Sequence, residues 1–188
     1  MDHPIDAALR RATESGAIPG VVAMAATSDA IVYQGAFGRR DPAPDAAMRP
    51  DSVFWLASMT KAITAAAAMQ LVEQGRLSLD GPIGSVLPDL AAVQVLEGFD
   101  ADGAPILRPA SRPITLRHLL THTAGFCYDM WNGDMVRYLA TTGTPAFRTG
   151  LNAALKVPVM ADPGTRWEYG TNLDFVGKIG RASCRERV

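Results

Sequence analysis

The chain has 188 residues, of which 48% are hydrophobic and 20% charged, and its formal net charge is −1. This balance is ordinary for a soluble globular protein and offers no basic field to nucleic acid or to an anionic membrane. No stretch approaches the roughly 20 apolar residues of a spanning helix, and Cys127 and Cys184 give neither a disulfide framework nor metal-ligand spacing.

In chain order, the opening MDHPIDAALRRATESGAIPG has no apolar run of signal-peptide type, so a cytoplasmic protein is the expectation. From about Pro4 to Gly16, Ile5, Ala8, Leu9 and Ala12 form a helical stripe, which Gly16 and Pro19 end. GVVAMAAT and AIVYQGAFG are two β-rich runs that read as an antiparallel hairpin. RRDPAPDAAMRPDS is a Pro-rich loop. A helix is expected after Ser58, running to about Gln74, with Gly75 just beyond its end. Its body, AITAAAAMQLV, is apolar on nearly every face, the pattern of a helix covered all round.

RLSLDGPIGSVLPDL is turn-rich, with room for a short helix. The stretch from Ala92 to Leu116 reads as two strands around the turn DADG. TLRHLLTH is a short helix with Thr115 at its N-cap. A further helix is expected within TPAFRTGLNAALKVPVM. DPGTRWEYGTN is a bend leading into a last helix.

The chemistry gathers at FWLASMTK. Ser58 and Lys61 are three apart at the start of a helix, so their Cβ atoms should lie about 5–6 Å apart. The free N–H groups and dipole of a helix N-terminus favour negative charge there, as an alkoxide or an oxyanion requires. A lysine among apolar neighbours has a lowered pKa and can accept the serine proton; alternatively it stabilises a neighbouring base as its anion. The plain structural alternative is a serine N-cap beside a lysine whose head group reaches water.

SMTK opening an apolar helix, then LLTHTAGF, then PGTRWEYGTN, together resemble the serine β-lactamase-related family. The likeness is nearest to class C β-lactamases, family VIII carboxylesterases and their D-alanyl-peptidase relatives, and runs from about Ile18 to Val176. It implies an α/β (α+β) fold: an antiparallel sheet flanked by helices, plus a helical lobe. It also implies Ser58 as nucleophile, Lys61 as its activating partner and Tyr169 as the group that shuttles the proton to the leaving group. Tyr128 and Trp131 are candidates for lining the substrate pocket, with surface anchoring the equally good alternative. The lactamase form of the third motif is Tyr-x-Asn; here Thr171 holds the asparagine position and Asn172 comes one residue late. Asn172 is kept as a substrate-binding candidate. Its displacement favours an esterase acting on short-chain esters over a lactamase or peptidase.

Other readings of these segments are weaker. His118 and His122 are spaced as on a zinc helix, but Leu119 stands where a zincin has its glutamate and no third ligand follows. DADG has the start of a calcium loop without the closing glutamate. No metal or other cofactor is expected. Cys127 reads as a small core residue, and Gly125 as the site of a tight bend. The expected partner is a small-molecule ester or amide, with no nucleic acid or membrane; the oligomeric state stays open. A non-catalytic binding protein on the same scaffold is the competing hypothesis.

Two expectations concern the far end. The resemblance implies a last strand motif that supplies a second oxyanion N–H and completes the sheet, and nothing after Tyr169 reads as that strand. Residues 1–178 are therefore expected to be an N-terminal part of the family domain, truncated on its C-terminal side and inactive by itself. IGRASCRERV resembles one reading frame of a common sequencing adapter, so residues 179–188 are expected to be read-through. Without them Lys+Arg falls from 18 to 15, Asp+Glu from 19 to 18, and the net charge becomes −3.

Overall fold

The computed structural model describes residues 3–43 and 46–185. Pro44 and Asp45 of the expected loop, and the last three residues of the expected read-through, lie outside the described residues. The chain divides into two units, Met1–Leu56 and Ala57–Val188.

The first unit is a helix and a hairpin. Helix α1, Pro4–Glu14, starts with His3 as N-cap, whose side chain accepts from the Ile5 amide, and with proline in its first turn, where the missing N–H costs nothing. Strands β1, Gly20–Ala26, and β2, Ile31–Gly38, pair antiparallel from Gly20↔Gly38 to Ala25↔Tyr33, with an irregularity at Ala25/Ala26. Tyr33 fastens helix to hairpin: its hydroxyl donates to Asp6 Oδ1 at 2.8 Å, and its ring lies 5.0 Å from that of His3.

The second unit opens with a 3-10 turn, Ala57–Met59, that runs directly into helix α2, Thr60–Glu73. Two further 3-10 turns, Ile83–Ser85 and Pro88–Leu90, follow. Strands β3, Gln94–Phe99, and β4, Pro105–Pro109, pair antiparallel around the expected turn. Residue Val159 comes alongside β3: its amide donates to Gln94 O at 2.8 Å and its carbonyl accepts from Leu96 N at 2.9 Å. Helix α3, Leu116–Leu120, carries the expected cap. Thr115 Oγ1 accepts from the His118 amide and His118 Nδ1 accepts from the Thr115 amide, each at 3.2 Å. Helix α5, Asn172–Arg185, closes the described chain.

The core of this unit gathers Ile83, Leu90, Ile114, Leu116, Leu119 and Val159 around Phe126 and Phe175, whose rings stack at 4.5 Å. Phe175 and Val176, four and three residues before Ile179, turn one face of α5 into it.

Two expectations about elements need correction. Helix α2 is not covered all round: Ala68 is its one buried residue, and Ile63 is 62% exposed. Ala65, Leu71 and Val72 pack inward and give one face its cover. A helix whose small and apolar residues run round nearly every face has no polar stripe, so its sequence cannot say which side meets protein. Second, the helix expected in TPAFRTGLNAALKVPVM is two 3-10 turns, Phe147–Thr149 and Asn152–Leu155, separated by Gly150 at φ 67°. The real helix lies just before it. Helix α4, Gly133–Thr142, is capped by Asn132, which accepts from the Met135 amide at 3.0 Å, and it buries Met135 and Leu139, four apart. The last helix runs without a break past residue 178 to Arg185, with Ile179 fully buried. Helix-forming residues extend a helix whatever their origin, so this continuity does not bear on the read-through expectation.

Candidate active site

Ser58 sits in the 3-10 turn that leads into α2, so its Oγ lies beside the helix N-terminus with its unpaired N–H groups. The residue before it, Ala57, has φ 45°, a strained value for a residue with a Cβ. One turn on, Lys61 Nζ lies 3.2 Å from Ser58 Oγ. Tyr169 arrives from the far end of the unit and donates its hydroxyl to Ser58 Oγ at 3.0 Å. Lys61 Nζ is also 5.0 Å from the centre of the Tyr169 ring and 5.6 Å from that of Tyr128. Three side chains named from sequence thus meet within hydrogen-bonding reach.

Three backbone hydrogen bonds bring Tyr169 there. Met160 N donates to Gly125 O at 2.8 Å, Gly164 N to Thr123 O at 2.7 Å, and Glu168 N to His122 O at 2.7 Å. Gly125, at φ 95°, makes the expected bend, and a Cβ there would come within 2.5 Å of Ala161 O. Gly170 lies flat against Phe126 and Cys127; a Cβ would run into the Phe126 carbonyl oxygen and the Cys127 Cα.

The pKa values of Lys61 and Tyr169 are shifted in opposite directions. Partial burial pulls the Lys61 ammonium down, but hydrogen bonds and charge contacts to Tyr169 and Tyr128 outweigh this, and the net pKa lies above the ordinary lysine value. The expected lowering of the Lys61 pKa is therefore corrected: the aromatic hydroxyls around it stabilise the cation. Tyr169 moves the opposite way. The hydrogen bonds to Ser58 and Lys61 hold its phenol below the usual tyrosine range. Both shifts favour the charged forms, an ammonium on Lys61 and a phenolate on Tyr169.

Around Tyr169 stand four rings: His122 at 4.6 Å, Trp131 at 5.5 Å, Tyr128 at 5.6 Å and Trp167 at 6.2 Å between centroids. Trp131 and Trp167, 64% and 65% exposed, line a pocket of about 320 Å³ with Glu168 and Tyr169. Tyr128 also lines a larger cleft, of about 790 Å³, with Phe147, Leu151, Thr171 and Asp174 among its walls. The smaller pocket is also lined by Tyr169, whose hydroxyl reaches Ser58. Both aromatic candidates for the substrate pocket thus border open space.

Asn172 does not. It is fully buried, and its Nδ2 lies 3.2 Å from Phe126 O, 3.3 Å from Glu168 O and 3.1 Å from His122 Nδ1. The expected substrate contact is corrected to an internal brace. An asparagine one position past the lactamase spacing has rotated into the core at the first turn of α5. Sequence reasoning also missed Trp167 and His122. Trp167 could have been found from its i, i+2 spacing to Tyr169 in an extended segment, which puts both on one side. For His122 the sequence offers only the spacing of a zinc helix and a place at the end of TLRHLLTH. His118 completes the capping box of α3 with Thr115, and among the described residues no three metal-ligating side chains converge.

With this geometry established, comparison with known proteins places the chain. A family model described as Beta-lactamase matches residues 5–185. The chain belongs to that family, and its mixed α/β architecture is the β-lactamase-like fold. It is 41% identical over 182 residues to the acyltransferase mokF of Monascus pilosus and 37% identical over 180 residues to the lovastatin esterase of Penicillium rubens, covering 93% of this chain in each case. It spans about 44% and 45% of those two relatives' lengths. Among solved structures it resembles the unliganded simvastatin synthase (LovD) of Aspergillus terreus, with a TM-score of 0.81 and 38% identity over 96% of this chain and 48% of that one. It also resembles EstCE1, a hydrolase with promiscuous acyltransferase activity, with a TM-score of 0.71 and 25% identity over 96% of this chain and 46% of that one.

Proposed function

We propose that the protein carrying this chain cleaves carboxylic esters through an acyl-enzyme on Ser58. The observation that carries this reading is the convergence of Lys61 Nζ and Tyr169 OH on Ser58 Oγ, at 3.2 and 3.0 Å. Tyr169, ionised beside the Lys61 ammonium, takes the Ser58 proton as Oγ attacks the ester carbonyl. The carbonyl π electrons move to oxygen, and the N–H groups at the start of α2 face that negative charge. When the tetrahedral adduct collapses, the C–O bond to the alcohol breaks and Tyr169 returns the proton to the leaving alkoxide. Water then repeats the sequence on the acyl-serine and releases the acid. Trp131, Trp167 and Tyr128 give the substrate's apolar part an aromatic wall. The substrate is a small-molecule ester, and a short acyl chain is the first choice.

A second reading replaces water by an alcohol, making the reaction an acyl transfer. The relatives favour it: the similar proteins include one named acyltransferase and one named esterase, and EstCE1 is described as having both capacities. The chemistry at Ser58 is the same in both, since the deacylating hydroxyl alone differs.

The test is a fluorophosphonate probe on the full-length gene product, followed by peptide mass spectrometry. Labelling at Ser58, lost in Ser58→Ala, supports the acyl-enzyme. A folded protein that carries no label at Ser58 overturns it and leaves the non-catalytic scaffold. Adding an alcohol to the ester assay separates the readings: faster ester consumption with a new ester product marks transfer.

A further inference from the structure

We propose that His122 is the positioning residue for Tyr169: it fixes the phenol against Ser58 by gripping the Tyr169 segment before, at and after the tyrosine. This inference rests on the acyl-enzyme reading above.

Three contacts, each independent of the others, make the grip. The His122 carbonyl accepts from the amide of Glu168, the residue just before Tyr169, at 2.7 Å. The imidazole packs on the Tyr169 ring, centroids 4.6 Å apart and planes 44° from each other. Its Nδ1 lies 3.1 Å from the Nδ2 of Asn172, three residues after the tyrosine. Only a backbone turned out of the helix lets one residue do all three, and His122 sits at φ 56°, in the left-handed region. A residue with a Cβ held there pays a conformational cost, and such outliers gather where geometry serves a site.

The hydrogen bonds also fix where the imidazole proton lies. Asn172 Nδ2 faces the carbonyl oxygens of Phe126 and Glu168, so that end of the amide must be the NH₂ group. The two N–H groups of that amide are shared among three acceptors at 3.1–3.3 Å; a proton on His122 Nδ1 would set donor against donor there, so Nδ1 accepts and the ring N–H of the neutral form is on Nε2. Burial, and then the charge of Lys61, lower the His122 pKa, which keeps the ring neutral and Nδ1 free to accept. A second proton on this ring would set donor against donor at Asn172 and cation against cation at Lys61.

The role predicts more than stability. Tyr169 owes its lowered pKa to contacts with Ser58 and Lys61. A phenol that drifts loses both and titrates higher, so the rate of proton transfer falls while the open aromatic pocket still binds substrate.

The experiment uses the full-length gene product with three substitutions. His122→Asn tolerates the left-handed backbone and drops the ring. His122→Phe keeps a ring and drops the acceptor, and His122→Gln keeps an acceptor and drops the ring. In variants that fold, kcat on a p-nitrophenyl ester should drop by about 10-fold to 100-fold with KM within about two-fold, the signature of misplacement and not of lost binding. The tyrosinate absorbance that disappears in Tyr169→Phe should titrate nearer the ordinary value of about 10 in His122→Asn. One measurement needs no variant: nitrogen NMR of the wild-type imidazoles should find His122 as the Nε2–H tautomer. Unchanged kcat and an unchanged Tyr169 titration in a folded His122→Asn protein overturn the proposal, as does an Nδ1–H tautomer. Failure of the acyl-enzyme reading looks different, because Ser58→Ala would then keep the wild-type rate.

Discussion

Arg108 holds Asp162 with both arms of its guanidinium: Nη1 lies 3.1 Å from Oδ1 and Nη2 2.8 Å from Oδ2. The same arginine reaches Glu97 at 2.7 Å, and the Ser111 amide donates to Asp162 at 2.7 Å. The pair ties β4 to the segment that leads into Tyr169. The Arg108 guanidinium, then the Ser111 amide, hold the Asp162 carboxyl well below the usual carboxylate range. A depressed folded-state pKa contributes stability above the unfolded value, about 3.9, that is lost as pH falls through the folded value. Thermal melts of the wild type should therefore weaken below about pH 4, whereas Asp162→Asn should start lower and fall less over the same range. Because both side chains are partly solvated, the difference should be modest and should shrink in high salt. Parallel melting curves for the two proteins would refute the linkage.

At the candidate site, Ser58→Ala should abolish ester turnover in the full-length gene product. Lys61→Ala and Tyr169→Phe should each lower it by about 10²–10⁴-fold, the usual contribution of a positioned proton-transfer group. Steady-state kinetics with p-nitrophenyl butyrate measure this. Near wild-type turnover in Lys61→Ala would mean that the contact with Ser58 Oγ has no part in the reaction.

Gly170→Ala should harm both fold and rate. The added methyl meets the backbone of Phe126 and Cys127, which cannot swing aside as a side chain can. Overpacking of this kind costs about 1–3 kcal/mol, and relief by moving the segment carries Tyr169 away from Ser58. Denaturant unfolding and the ester assay on one preparation should record both losses. A protein as stable and active as wild type would show that this close approach is slack.

Substrate preference should run toward esters. Thr171, at the asparagine position of the lactamase motif, is 2% exposed, and Asn172 is wholly buried. Neither amide nor hydroxyl is presented there to a β-lactam side chain. Turnover of p-nitrophenyl acetate or butyrate should exceed that of nitrocefin, and the opposite ranking would reverse the assignment.

The Cys127 thiol should be inert in the folded protein. Burial, with the Glu168 charge next in importance, pushes its pKa up to about 12. Thiolate is the reactive form, so iodoacetamide should modify the Cys127 peptide after denaturation and leave it unmodified before. Rapid labelling of the native protein would place the thiol at the surface.

How far the sequence foretold this molecule varies with the physical signal. Ser58 and Lys61 were legible because three-residue spacing on a helix is local geometry. Tyr169 was legible only through the resemblance, since no local rule brings two residues 111 positions apart together. The hairpin of the first unit and the Thr115 cap followed from turn and cap chemistry. Helix α4 escaped notice because its Asn132 cap and its Met135–Leu139 pair sit in a stretch otherwise read for aromatics. The direction of the Lys61 pKa was misjudged because apolar neighbours in sequence say nothing about hydroxyls arriving from elsewhere. Asn172 was assigned to substrate on its one-letter proximity to a motif, and the first turn of α5 pointed it inward instead.

Two of the three tryptophans, Trp131 and Trp167, stand beside Tyr169, while the third, Trp55, is 95% exposed and belongs to the other unit. The site thus carries its own fluorophores. At ring separations near 6 Å, light absorbed by Tyr169 passes to the indoles, and their emission responds to whatever is attached at Ser58. A stopped-flow trace of intrinsic fluorescence in the full-length gene product, with Trp131→Phe and Trp167→Phe variants to mark the part of the signal that comes from the site, can follow the serine as it takes up and gives back an acyl group without any chromogenic leaving group. Colourless natural esters then become as easy to time as synthetic ones.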